Sequence, residues 1–166
     1  MKEIPLTLGK VAIVDDGDFK KTNQHKWYAH KEGNTFYARR TRFPNNFFGM
    51  HREILGLDQE NKQWADHING DGLDNRKSNL RICDRSQNQM NRKKNKFRNF
   101  INCTSIYKGV RLNKGKWQAR IGADGKQIYL GMFKNEKSAA MAYNEAAIKL
   151  HKQFARLNTI KGGFND

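Results

Sequence analysis

The chain has 166 residues, with 32 Lys or Arg against 16 Asp or Glu and a formal charge of +16 at neutral pH. That length suits one ordinary domain or two small ones, and that charge favours a polyanionic partner. The sequence has no apolar run near the ~18 residues of a spanning helix, no signal peptide or lipidation motif, and no basic amphipathic helix with a broad apolar face, so an intracellular nucleic-acid binder is favoured over a membrane-surface protein.

The two cysteines, Cys83 and Cys103, lack CxxC spacing, which speaks against a disulfide framework and a structural zinc. The Asn102-Cys103-Thr104 sequon carries little weight without a secretory signal. Both halves share the charge, but the acids are uneven. Residues 105–166 hold twelve cations and four acids, against twenty and twelve in residues 1–104.

Residues 1–49 read as a β-rich segment. An apolar strand is predicted over 10–14, and strands over 27–30 and 35–39 flank a turn at 31–34, which suggests a hairpin. The pattern breaks at Pro44-Asn45-Asn46, and a short helix around 50–55 is ended by Gly56.

The stretch from Trp64 to Asn91 reads strand, loop, strand, helix. Asp66 and His67 stand side by side, followed by the Gly/Asn/Asp loop of residues 69–75, an apolar strand near Leu80 and an Asn-rich basic helix that Asp84 can cap. Such a stretch can bring a metal and a base to a phosphate; a purely structural Asp-His pair is the competing reading. Neighbours in a regular strand point to opposite faces, so Asp66 and His67 can serve one phosphate only if the strand twists or ends there. An EF-hand aligned on Asp71-Gly72 would place His67 and Ser78 where acids are required. Arg92, Lys93, Lys94, Lys96 and Arg98 then form an acid-free run, either a solvated linker or one that lies on phosphates.

From Ser105 a second pattern begins. Strands are predicted over 107–111, 116–121 and 127–131, with hairpin turns at 113–115 and 123–126. Asn135 caps a helix carrying Ala139, Ala140, Tyr143, Ala146, Ala147 and Leu150 at helical spacing, ready to pack on the sheet. The other sheet face is expected to present Arg111, Lys116 and Arg120 with Trp117 and Tyr129, which suits a DNA groove or a merely solvated basic surface.

These motifs resemble two families joined end to end. Asp66-His67-Ile68-Asn69-Gly70-Asp71-Gly72-Leu73-Asp74-Asn75-Arg76 with Ser78-Asn79-Leu80-Arg81, and the earlier Met50-His51-Arg52, is similar to the HNH endonucleases of the phage and mobile-intron homing branch. Tyr107-Lys108-Gly109-Val110-Arg111, Gly115-Lys116-Trp117, Tyr129-Leu130-Gly131-Met132-Phe133 and the Ala139 to Ala147 helix resemble the AP2/ERF DNA-binding domain.

The first resemblance implies a ββα-metal module over 50–91, with His67 as general base, Asp66 as metal ligand and Asn79 as the structural Asn. The third motif position departs from the family name: Asn88 stands there as a second metal ligand, where the homing branch often has Asn, and Asn91 is its rival. One carboxylate and one amide would leave Mg²⁺, or Mn²⁺, largely hydrated, as a hard cation prefers. The second resemblance implies a three-stranded antiparallel sheet packed on one helix over 105–160, in which Lys108, Arg111, Arg120, Gln127 and Tyr129 match contact positions. Trp117 falls at an aromatic position that is either contact or core. Gly122, Gln127 and Tyr129 depart from the common plant residues, so the recognised sequence should differ.

Together these give an α+β chain: a β-rich segment, a nuclease module, a basic linker over 92–104, a DNA-binding domain and a tail over 161–166. The expected activity is a site-preferring, metal-dependent endonuclease of mobile-element type, a monomer that nicks double-stranded DNA. A regulator with a vestigial nuclease half is the alternative, and RNA processing a third reading.

Overall fold

Alternation and turn chemistry account for most of the strands. The computed structural model describes residues 1–42, 46–58, 60, 62–94, 97–98, 101–102 and 104–160. In order these form β1 (Lys2–Pro5), β2 (Val11–Val14), α1 (Asp16–Thr22), β3 (Tyr28–Glu32), β4 (Thr35–Arg42), β5 (Asn46–Gly49), α2 (Met50–Ile54), β6 (Trp64–His67), β7 (Leu80–Cys83) and α3 (Arg85–Asn91). They continue with β8 (Phe97–Arg98), β9 (Ile101–Asn102), β10 (Val110–Asn113), β11 (Lys116–Ala123), β12 (Lys126–Phe133) and α4 (Glu136–His151). The architecture is α+β, with antiparallel sheets and four α-helices among the described residues. None of these helices is long and apolar enough to cross a membrane.

The chain divides into two compact units, Met1–Gln89 and Met90–Asp166. In the first, β1 pairs with β2, β4 lies between β3 and β5, and β6 pairs with β7. Ile4, Ala12, Val14, Trp27, Ala38, Met50, Ile54 and Leu80 form the core. The expected hairpin over 27–39 is present as β3 and β4. Three elements were not expected. Strand β1 ends on Pro5, where an edge strand tolerates a missing donor. Helix α1 is short and polar, yet its acids fall in the first turn and its lysines in the last, which suits the helix dipole. The pattern break read at 44–46 lies partly outside the described residues, and from Asn46 the chain is again a strand.

In the second unit β11 lies between β10 and β12. Each connection is a two-residue turn with both φ positive, Lys114 (47°) with Gly115 (76°) and Asp124 (50°) with Gly125 (73°), the geometry that matches strand twist. Helix α4 starts where the Asn135 side chain accepts from the Ser138 N–H at 2.8 Å. Its Ala139, Ala140, Tyr143 and Ala147 are buried with Val110, Ala119 and Ile121. Leu150, expected on that face, is 42 % exposed because the buried stripe runs from Ala147 to His151, whose Nε2 lies 2.7 Å from the Gly122 carbonyl, and leaves Leu150 to one side.

One glycine sets how closely the layers approach, and a bulge sets the phase of β12. Gly109, at φ +75°, lies under Tyr143, and a Cβ there would sit 2.1 Å from the ring. Gly131 pairs with Ala119 while Tyr129 pairs with Arg120, so Leu130 is an extra residue in β12. This bulge lets Leu130 join the helix-side core while Tyr129 stays on the opposite face.

Candidate active site and basic sheet face

The Asp-His pair closes its strand in regular register, Asp66 across from Arg81 and His67 across from Leu80. Strand β6 stops at His67, whose carbonyl accepts from the Gly70 N–H at 2.9 Å with Gly70 at φ +74°, and both Asp66 and His67 are buried. Asp66 Oδ2 accepts from Arg81 Nε (2.9 Å) and Nη2 (2.6 Å), a partner directly across on β7. His67 Nε2 lies 3.2 Å from Asn75 Oδ1. Its ring packs edge-on against Tyr37 (centroids 5.6 Å apart) and His51 (5.0 Å).

Glycines make room for this aromatic cluster. A Cβ on Gly49 would sit 2.5 Å from His51 Cε1, and one on Gly72 would sit 2.4 Å from the Phe36 carbonyl and 2.6 Å from the Tyr37 ring. Burial pushes His51 down to about 3, with His67, Arg52 and Arg39 adding to the shift, so it is neutral at physiological pH. Its buried Nδ1 has no hydrogen-bond partner among the described residues. Burial also lowers His67, against opposing pulls from the Asn75 hydrogen bond and then Asp66, Asp71 and Asp74, leaving a neutral imidazole able to take a proton.

The loop between β6 and β7 is held by its own amides. Asn79 uses both amide hydrogens, on Asn69 Oδ1 (3.1 Å) and the Asp74 carbonyl (2.7 Å), while its Oδ1 accepts from the Asn69 N–H (2.9 Å). Asn69 Nδ2 in turn donates to Asp74 Oδ2 at 3.0 Å, and the Arg76 guanidinium on Asp74 holds that carboxyl below its ordinary range. Asn79 therefore sits inside the loop as its hub.

Residues 1–48, for which the sequence suggested no role, frame this loop. Ile13 N–H donates to the Leu73 carbonyl and the Ile13 carbonyl accepts from Asn75 N–H, both at 2.8 Å. Thr35 Oγ1 accepts from Gly72 N–H (3.1 Å) and Asp15 from Lys77 N–H (2.8 Å). Sequence inspection missed Asn75, His51 and Tyr37; the only cue was that Asn75 and His51 fall inside the motifs quoted above.

Helix α3 follows β7 directly. Asp84 Oδ1 accepts from Gln87 N–H at 2.8 Å while Gln87 Oε1 accepts from Asp84 N–H at 2.9 Å, a reciprocal capping box. Asn88 is half-buried and Asn91 buried, three positions apart on one side of the helix. Among the described residues no three His, Cys, Asp or Glu side chains gather. A carboxylate such as that of Asp66 and an Asn amide are oxygen donors of the kind that suits a hard, mostly hydrated cation. Cys83 is a buried thiol that burial pushes up to about 11.

In the second unit the strand register puts Arg111, Lys116, Gln118, Arg120, Gln127 and Tyr129 on the face opposite α4. Arg111 Nε donates to Gln118 Oε1 at 2.8 Å, and Tyr129 is 57 % exposed. Gln127 places its amide over Gly122, 3.1 Å from where a Cβ would be. Trp117 is the correction to the open-face expectation: alternation turns it to the helix side, where it packs on the Tyr107, Val110, Ala119, Ala139 and Ala140 cluster.

The remaining cations differ in what they hold. Lys108 Nζ donates to the carbonyls of Met90 and Arg92, and Lys94 Nζ to those of Tyr107 (2.7 Å) and Val110 (3.0 Å). Burial, then Arg156 and Arg92, lowers Lys108 to about 8. Arg92 and Lys93 are exposed, Arg98 lies in β8, which pairs with β9 inside the stretch read as linker, and Lys96 lies outside the described residues.

No family model matches the chain. It is similar to plant AP2-like transcription factors over part of its length and to an HNH endonuclease over nearly all of it. An AP2-like ethylene-responsive transcription factor of Arabidopsis thaliana is 52% identical over 54 residues, 30% of this chain and 11% of that protein. APETALA2-like protein 2 of Oryza sativa subsp. indica is 41% identical over 69 residues, 40% of this chain and 16% of that protein, so the chain spans only a small part of these plant relatives. An uncharacterised HNH endonuclease of Acanthamoeba polyphaga mimivirus is 28% identical over 161 residues, 92% of this chain and 76% of that one.

Proposed function

We propose that this protein is a site-preferring, divalent-metal-dependent DNA endonuclease that nicks one strand. The observation that carries the proposal is a buried, neutral His67 at the end of β6, beside an Arg81-anchored Asp66 and followed by a capped helix bearing Asn88. Similarity over 92% of the chain to a protein named an HNH endonuclease supports it.

On this reading the unit of β6, β7 and α3 is a ββα-metal module. His67 accepts a proton from water as the water oxygen bonds to phosphorus; the P–O bond to the leaving oxygen breaks, and that oxygen is protonated from solvent. Asp66 and Asn88, with Asn91 as the alternative to Asn88, would hold Mg²⁺ or Mn²⁺, which when bound neutralises charge on the phosphate and the leaving oxygen. Arg111, Lys116, Arg120, Gln127 and Tyr129 read or hold the duplex as an AP2/ERF-like domain, and Arg92 and Lys93 add phosphate contacts. The chain acts as a monomer with one active site, as suits an enzyme of a phage or mobile element.

The test is cleavage of supercoiled plasmid and long genomic DNA with Mg²⁺, Mn²⁺ or EDTA, comparing the intact chain with His67→Ala. Metal-dependent nicking that falls by about 10²- to 10⁴-fold in the variant, with DNA binding retained, is expected. The higher identity to transcription factors favours a second reading, a DNA-binding regulator. Binding without cleavage of a diverse substrate pool by the intact chain would select it.

A further inference from the structure

We infer that Asn75 is the positioning residue that decides which ring nitrogen of His67 takes the proton, an inference that rests on the nuclease reading. Asn75 is fully buried, and its backbone N–H is fixed on the Ile13 carbonyl at 2.8 Å. Its side-chain amide has two ends with opposite capacities, and each meets a partner. Nδ2 lies 3.1 Å from the Leu73 carbonyl, which can only accept, so the NH₂ end must face Leu73. Oδ1 is thereby turned to His67 Nε2 at 3.2 Å.

An amide oxygen cannot donate. Nε2 must therefore carry the hydrogen, and in the neutral ring the lone pair then resides on Nδ1. Asn75 also opposes a half-turn of the ring, which would carry Nε2 away from Oδ1 and lose the hydrogen bond. The rings of Tyr37 and His51 pack against the same imidazole.

The anchor of this device is β2. The Leu73 carbonyl that orients Asn75 is itself bonded by Ile13 N–H at 2.8 Å, so one residue of β2 grips both the positioning residue and the group that sets its direction. This gives the N-terminal segment a part in the reaction through its hold on the loop.

The experiment is nitrogen NMR of the intact, metal-free chain labelled with ¹⁵N-histidine, with His67→Gln to assign the resonances, alongside plasmid nicking and DNA binding for Asn75→Leu and Asn75→Asp. His67 is expected as the Nε2–H tautomer with a solvent-protected ring N–H. Asn75→Leu should lose that protection and lower nicking roughly 10- to 100-fold at unchanged DNA affinity, the size associated with losing an orienting partner. Asn75→Asp keeps an acceptor and should retain the protected N–H and more of the activity than Asn75→Leu. An Nδ1–H tautomer in the intact chain, or full-rate nicking by a folded Asn75→Leu that keeps the protected N–H, would overturn the inference. Absence of cleavage by the intact chain would instead remove the nuclease reading, and the tautomer measurement would still judge Asn75.

Discussion

Residues 1–89 bury Asp18, Glu53, Asp66, His67, Asp74, Asn75 and Asn79, whereas the unit from Met90 is built around Ala119, Ala139, Ala140, Ala147, Ile121 and Tyr143. The first unit holds an irregular loop in one shape by hydrogen bonds and ion pairs, each costly to leave half made. The second reaches its shape by alternation broken at a single bulge in β12, two tight turns and small residues that let a helix approach a sheet. An irregular loop of polar groups needs the first kind of support, while a regular sheet face needs only a packed layer behind it. Changes of charge should therefore damage the first unit and changes of volume the second.

The largest expected effect breaks an ion pair in the first unit. Arg40 Nε and Nη2 donate to Glu53 Oε2 at 2.9 and 2.7 Å with both side chains largely buried. Arg40→Leu should destabilise this unit by about 3–5 kcal/mol by leaving the buried Glu53 carboxylate with only the His25 imidazole, 3.5 Å away, beside it. The double variant Arg40→Leu/Glu53→Leu should recover much of that loss in denaturant unfolding; equal loss in both would mean that packing matters more than charge.

The matching volume change is Gly109→Ala, where the added methyl meets the Tyr143 ring at 2.1 Å and the Arg120 carbonyl at 2.5 Å on a backbone at φ +75°. A loss of about 2–4 kcal/mol is expected, from overpacking together with left-handed strain. Hydrogen exchange should show it in β10–β12 and α4.

A pH titration sharpens the contrast further. The folded value of His51, about 3, lies below its unfolded value near 6.5, so the unfolded state binds the extra proton between them. Stability of the first unit should fall as pH drops through that window, by up to about 1.4 kcal/mol per pH unit for this group. His51→Phe should flatten the slope in thermal unfolding, and an unchanged slope would assign it elsewhere. The smallest effect is expected for Asp84→Ala, which removes one side of the capping box and should cost about 1 kcal/mol, seen as faster exchange in α3 alone.

Much of this was legible before any coordinates. The β10–β11–β12 meander follows from alternation and its Gly-containing turns, α4 from its Asn135 cap and alanine stripe, and α3 from its Asp84 cap, all interactions within a few positions. Helix α1 was not legible, being seven residues without an apolar stripe. The side that Trp117 takes follows by alternation from placing its neighbour Lys116 and Arg120 on the open face, and its packing on the helix-side cluster matches.

The sequence by itself determined the charge, the α+β character and the adjacency of Asp66 and His67, because these depend on composition and on neighbours along the chain. Tertiary structure alone decided that Lys94 and Lys108 bond to backbone carbonyls, that Asn75 meets His67, and that β2 clamps the loop between β6 and β7. Those contacts are set by which surfaces the fold brings together; Lys77 N–H, for one, bonds to Asp15 across 62 positions. No local propensity encodes such a pairing. It exists only once burial of the common core has brought the two segments side by side.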